Sequence, residues 1–197
     1  MMLCVIGKPR AGKTTLAAWA ADRAQHGRPL RVGFPLHRTV LQEHAPYERV
    51  YSNFPLKGCY RIDAADFGRR DIRNSLILID EAAMDFNNRD HKTADRKALN
   101  WFRLHGHYQN DVWFFSQSND CDKVIRELSL EMLHVVKRGR VSLVTPVERV
   151  QEIDGEIKEG FYAKGFFNSL VLRRKKFYHM FNSWDAPELE KRPDIPW

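Results

Sequence analysis

The residues with the clearest chemical content lie near the start of the chain. Gly7-Lys8-Pro9-Arg10-Ala11-Gly12-Lys13-Thr14 fits G-x-x-x-x-G-K-[ST] in full, after a short apolar run and at the opening of a helical one. Glycines in this pattern let the main chain curl round a phosphate and turn successive N–H groups inward as an anion nest. The helix starting near Lys13 adds the positive end of its dipole. Lys13 then reaches the β- and γ-phosphates, and the Thr14 hydroxyl ligates Mg²⁺. Gly7, Lys8, Pro9, Arg10, Ala11, Gly12, Lys13, Thr14 and Thr15 are therefore the expected nucleotide-binding residues. A second pair, Asp80-Glu81, closes the apolar run Leu76–Ile79. The first carboxylate can hold Mg²⁺, directly or through water, and the second can polarise an attacking water as general base. The plainer reading of the pair is two acids capping the next helix. Gln117 ends a third apolar run, where its amide can sense a γ-phosphate or orient water. Thr14 and Asp80 are the expected Mg²⁺ ligands; Lys13, Glu81 and Gln117 are the expected catalytic groups.

These residues meet only if the elements carrying them end on one side of a sheet. Leu3–Ile6 reads as a buried parallel strand, and Thr14–Gln25 as an alanine-rich helix stopped by Gly27 and Pro29. Residues 30–71 are loop-rich, with short strands expected at 50–53 and 59–62. Ser75–Asp80 and Asp111–Gln117 read as buried strands, Thr93–His105 and Asp120–Glu131 as helices. Strands alternating with helices predict an α/β fold: a P-loop NTPase with a mainly parallel sheet flanked by helices. Ligands of such sheets sit at the carboxyl ends of the strands. Beyond Leu133, alternating segments at 134–137, 140–144 and 148–153 predict antiparallel strands extending that sheet. The expected organisation is one P-loop domain over 1–185, with a core to residue 132 and C-terminal strands after it. A proline-rich tail follows over 186–197.

Of the 197 residues 43% are hydrophobic, enough for a sizeable core, while 29% are charged and the mean hydropathy is −0.52, which excludes wholesale disorder. Apolar runs such as Leu16–Ala21 fall far short of the roughly 20 residues of a membrane-spanning helix, so a soluble, intracellular protein is expected. Cys4, Cys59 and Cys121 have no metal-knuckle or disulfide-framework spacing. The net charge of +7 admits phosphates, nucleic acid or acidic membrane as partners and does not choose among them. Arg173-Arg174-Lys175-Lys176, followed by Phe177 and Tyr178, suits a polyanion or a charged sheet edge equally well. His91, His105, His107 and His134 lack a well-spaced carboxylate or cysteine, so a metal site there is not expected.

The order of P-loop, Val50-Tyr51-Ser52-Asn53, Leu78-Ile79-Asp80-Glu81-Ala82, His105-Gly106-His107 and Ser116-Gln117 resembles the zonular occludens toxin-like (Zot) family. These are assembly ATPases of filamentous bacteriophages, within the wider FtsK/HerA superfamily. The likeness spans about residues 2–140, with an echo over 177–185. It implies ATP with Mg²⁺ as cofactors, Lys13 and Thr14 on nucleotide and metal, Asp80 on Mg²⁺, Glu81 for water activation and Gln117 as sensor. It also implies a homo-oligomer working with other phage assembly proteins at the inner face of the host inner membrane, with DNA as a further partner to test. Superfamily members donate an arginine across a subunit boundary, for which Arg103, Arg126, Arg138 and Arg140 are candidates. Gly106 stands where the family usually has arginine, and relatives commonly continue into a transmembrane helix and a distal domain. Two alternatives carry different consequences. A viral genome-packaging ATPase shares the motif order. A nucleotide-controlled dimeric switch of the deviant-Walker type would use Lys8, although Pro9-Arg10 stand where that group has glycines.

Overall fold

Successive side chains of the central strands point to opposite faces, and here both faces are apolar, as a parallel sheet covered on two sides requires. The computed structural model describes residues 1–33, 38–80, 94–117, 128–153, 157–164 and 168–182. In chain order its elements are β1 (Met2–Ile6), α1 (Lys13–Gln25), β2 (Arg31–Val32), β3 (Thr39–Val40), β4 (Arg49–Ser52), β5 (Tyr60–Arg61), a 3₁₀ turn (Ala64–Asp66), β6 (Ser75–Asp80) and α2 (Ala94–Arg103). There follow β7 (Asp111–Ser116), β8 (Glu131–Arg138), β9 (Val141–Ile153), β10 (Ile157–Ala163), β11 (Leu170–Arg173) and a 3₁₀ helix (Arg174–Met180). Among the described residues the main sheet runs β10-β9-β8-β1-β7-β6-β4-β5, with β11 also paired to β9. From β8 to β5 the pairing is parallel; β8-β9, β9-β10 and β9-β11 are antiparallel. The expected parallel core with an antiparallel extension is thus what forms.

Leu3, Val5, Leu76, Leu78, Trp113 and Phe115 face one layer, packed with Leu16, Ala17, Ala20 and Ala21 of α1. Val112, Phe114, Ile77 and Ile79 face the other, against Ala98, Trp101 and Phe102 of α2 and Phe67. Helix α1 is buried on most of its circumference, because Phe177 and Met180 of the C-terminal 3₁₀ helix join the cluster on its side of the sheet. Its alanines suit that enclosure, since they present little bulk and lose no side-chain entropy.

Two expectations change. Residues 140–144 and 148–153 belong to one continuous strand, β9, which runs through Pro146. A proline lacks the N–H that a ladder needs, but the Pro146 carbonyl accepts from Lys164 on the side away from β8, so the missing donor faces that side as well. There β11 ends its pairing at Val144 and β10 begins at Val147, leaving the proline at the change of neighbour. Glu131, expected to end a helix, instead opens β8 opposite Leu3; most of that expected helix, and the expected tail over 186–197, lie outside the described residues.

The amino end of the sheet is held by one carboxylate. Asp111 is fully buried at the start of β7. It accepts from the Met1 amino group (2.5 Å), the amides of Glu43 and His44 (2.7 and 3.2 Å), His44 Nδ1 (2.9 Å) and the Tyr47 hydroxyl. Burial pushes its pKa up, but the bonds from the Met1 ammonium, Tyr47 and the Glu43 amide outweigh burial and hold it below the usual value. A lowered carboxylate pKa supplies stability that is fully present above the unfolded value of about 4 and is lost as pH falls through the folded one. Asp111→Asn is expected to cost about 3 kcal/mol at pH 7. Urea unfolding at pH 7 and at about pH 3 checks this, since the deficit should shrink on acidification.

Candidate nucleotide site

The loop between β1 and α1 is shaped by what stands behind it. A Cβ at Gly7 would lie 2.6 Å from the carbonyl oxygen of Val135 on the neighbouring strand β8. Gly12 adopts φ +107°, and a Cβ there would fall on Ser142 Oγ of β9, the hydroxyl that donates to the Ala11 carbonyl at 2.6 Å. Both glycines are needed for close approach, and Gly12 also for its backbone angle. Arg10, at φ 61°, takes a left-handed conformation uncommon for a side chain of its size. Helix α1 begins at Gly12 with no side-chain cap and no acid in its first turn, so no carboxylate of its own competes with an anion there. Lys13 is buried, its ammonium donating to the Gly7 carbonyl at 2.8 Å and the Lys8 carbonyl at 3.3 Å.

Topology brings the other residues to this loop. β7 lies between β1 and β6, pairing Ile6 with Ser116 and Phe115 with Asp80. Strands are about 4.8 Å apart, so Asp80 stands roughly 10 Å across the sheet from the P-loop strand. That gap forms a cavity of about 570 Å³, lined by Pro9, Arg10, Gly12, Lys13, Thr14, Thr15, Asp80 and Gln117, and closed by Lys137, Arg174, Tyr178 and Phe181. Its volume falls in the ordinary range of ligand sites, about 300–1,000 Å³. Four cationic side chains and one carboxylate among the described lining residues make it a site for a polyanion. The Thr14 hydroxyl and Asp80 carboxylate are hard oxygen donors bordering one space, a set that suits Mg²⁺. An adjoining groove of about 910 Å³, bordered by Lys57, Tyr60 and Phe181, is larger but holds no P-loop residue. Chemistry selects the smaller one.

The remaining expected residues divide. Gly7, Lys8 and Ala11 form the loop without lining the cavity, and the Lys8 side chain is exposed. Glu81 lies outside the described residues, as does Arg126. Arg103, Arg138 and Arg140 are exposed and do not line the cavity. His105 Nδ1 faces the Phe102 carbonyl at the end of α2, so that ring serves the helix terminus. The described His-and-acid cluster of Glu43, His44 and Asp111 is the amino-end anchor, where both Asp111 oxygens already accept hydrogen bonds.

Asn53 has no role that its sequence context assigns, and the structure supplies one. Its Nδ2 donates to the Asp80 carbonyl at 2.9 Å, while the Asp80 amide donates to Asn53 Oδ1 at 2.7 Å. The side chain thus imitates a strand partner at the end of β4 and fixes the main chain that carries the acid. In the sequence Lys137 and Phe181 have no site role, and Arg174 and Tyr178 figure only in a stretch suited to a polyanion or a sheet edge. All four reach the cavity from β8 and from the C-terminal 3₁₀ helix and the residue after it, far along the chain.

Gly12→Ala is expected to weaken MgATP binding about tenfold or more, from strain of roughly 1–3 kcal/mol, as measured by titration of a fluorescent ATP analogue. Asn53→Ala removes two bonds of about 1 kcal/mol each. It should raise the Mg²⁺ concentration needed for half-maximal nucleotide binding while leaving metal-free binding within about twofold.

Comparison with known proteins comes to the same fold. No curated protein sequence matches the chain. Among solved structures, the N-terminal domain of zonular occludens toxin from Neisseria meningitidis is similar, with a TM-score of 0.56 and 16% identity over 92% of this chain and 98% of that one. Looser likenesses are a KaiC-like protein from Pyrococcus horikoshii OT3 (TM-score 0.47, 10% identity, 86% and 88% covered) and the flagellar accessory protein FlaH from Methanocaldococcus jannaschii (TM-score 0.47, 12% identity, 84% and 89% covered). The sequence model described as Zonular occludens toxin (Zot) matches residues 1–146. With a P-loop, an acidic strand end and a shared carboxyl-end cavity in place, the chain belongs to the Zot family and has the fold of a P-loop ATPase.

Proposed function

We propose that this chain is the ATP-hydrolysing motor domain of a Zot-like protein of filamentous-phage morphogenesis, driving virion assembly or export at the inner face of the host inner membrane. The observation that carries the hydrolytic part is the convergence of Lys13, Thr14, Asp80 and Gln117 on one cationic cavity. The family membership supports the phage role. We take the functional unit to be one ATPase domain over residues 1–185, acting as a homo-oligomer.

In this reading the loop amides and the Lys13 ammonium hold the triphosphate. Thr14 and Asp80 hold Mg²⁺, which supplies charge neutralisation on the phosphate oxygens when bound. Glu81, next to Asp80, takes a proton from water. The water oxygen bonds to the γ-phosphorus as the bond to the β–γ bridging oxygen breaks, and ADP leaves with that electron pair. Gln117 borders the terminal phosphate and reports its loss to β7.

Lys13→Ala is expected to abolish both nucleotide binding and turnover. Glu81→Gln should retain binding within about threefold and lose turnover by about 10²–10⁴-fold. The measurement is Mg²⁺-dependent phosphate release against protein concentration, with and without single-stranded and duplex DNA. Turnover stimulated by DNA would move the assignment to genome packaging, for which the exposed Arg173, Lys175 and Lys176 would be phosphate contacts. Slow turnover with an ATP-dependent dimer sensitive to Lys8→Ala would identify a switch. Failure to bind ATP would overturn the ATPase reading.

A further inference from the structure

Arg174 is separated from the basic residues beside it in sequence. Arg173 ends β11, and Lys175 and Lys176 are exposed, whereas Arg174 turns into the phosphate cavity. Its position follows from pairing: β11 runs antiparallel to the start of β9, Arg173 opposite Val141, which delivers Arg174 beside the β8–β9 turn. There its Nη2 donates to the Gly139 carbonyl. Its Cδ is so close to the P-loop that a Cβ on Gly12 would come within 3.3 Å. Phe177 and Met180 of the same 3₁₀ helix are buried in the α1 cluster, so the arginine is anchored by its own chain. Its Nε is buried and makes no hydrogen bond among the described residues. An Nε closed to water is closed to a cavity ligand too, so a phosphate contact falls to the Nη end of the guanidinium.

We propose that Arg174 is a catalytic arginine supplied in cis: its guanidinium contacts the terminal phosphate of the nucleotide held by the P-loop of the same protomer. This rests on the ATPase reading. Arginine forms and breaks no bond in the step; it stabilises negative charge on the phosphate oxygens as the β–γ bridge breaks. Its planar fork can meet two phosphate oxygens at once, where a lysine ammonium acts as a point charge. Arg174 would act beside any arginine lent by a neighbouring subunit, for which the sequence offers Arg103, Arg126, Arg138 and Arg140.

The test uses the full chain as wild type, Arg174→Ala, Arg174→Lys and Lys13→Ala, with ADP and ATPγS affinities and MgATP turnover measured for each. Arg174→Ala is expected to bind ADP within about threefold of wild type, to bind ATPγS about tenfold more weakly, and to turn over at least about 100-fold more slowly. Near-normal ADP binding also certifies that the variant is folded; should it not fold, Arg174→Lys is read in its place. Equal losses for ADP and ATPγS would indicate a structural role and overturn the proposal, as would turnover within threefold of wild type. Mixing Lys13→Ala with Arg174→Ala protomers decides the geometry. No mixed protomer carries both groups, so a cis arginine leaves the mixture inactive, and recovered turnover would overturn the proposal. If wild type binds ATP yet hydrolyses none, the ATPase reading fails while the ADP–ATPγS comparison still judges the arginine contact. If it binds no nucleotide, both fall.

Discussion

The phosphate loop can exist only because strands β8 and β9 press against its back. Gly7 approaches a β8 carbonyl, Gly12 approaches a β9 hydroxyl, and that hydroxyl holds the Ala11 carbonyl. Any side chain at either glycine would push the loop off its backing, and with it the Lys13 ammonium that the loop carbonyls hold. The antiparallel extension is therefore more than an appendage to a parallel core. It is the surface on which the loop is moulded, and through β11 it returns Arg174 to the same place.

The two ends of the sheet do opposite electrostatic work. At the amino end a single buried carboxylate is surrounded by donors and satisfied within the fold, which ties the segment from Glu43 to Tyr47 to β7. At the carboxyl end cations outnumber acids, and Arg174 Nε has no partner among the described residues. A buried carboxylate surrounded by donors holds structure together, whereas an excess of convergent cations favours a polyanionic ligand. Asn53 works between these regimes: it adds no charge to the site, but its two bonds hold the backbone of Asp80 on the side where pairing with β4 has ended.

Much of this was legible in the chain. Lys13, Thr14, Asp80 and Gln117 each follow an apolar run of strand length, and a parallel sheet with both faces buried must place such run ends along one edge. The strands at 75–80 and 111–116 are plain in the sequence because each holds an unbroken apolar run, Leu76–Ile79 and Val112–Phe115, between polar ends. Strand β9 reads as two pieces in the sequence because Pro146 is a breaker locally, and only the change of neighbouring strand makes it harmless.

The sequence by itself determined the parallel core, the P-loop and the acidic strand end, since these depend on local patterns of period and residue type. Tertiary structure alone decided that Asn53 clamps Asp80, that Ser142 supports the loop and that Arg174, 162 residues beyond Gly12, leaves a basic run to enter the phosphate cavity. The reason is physical: which side of a strand or helix meets the site is set by long-range pairing register, and no local propensity encodes a partner that far along the chain.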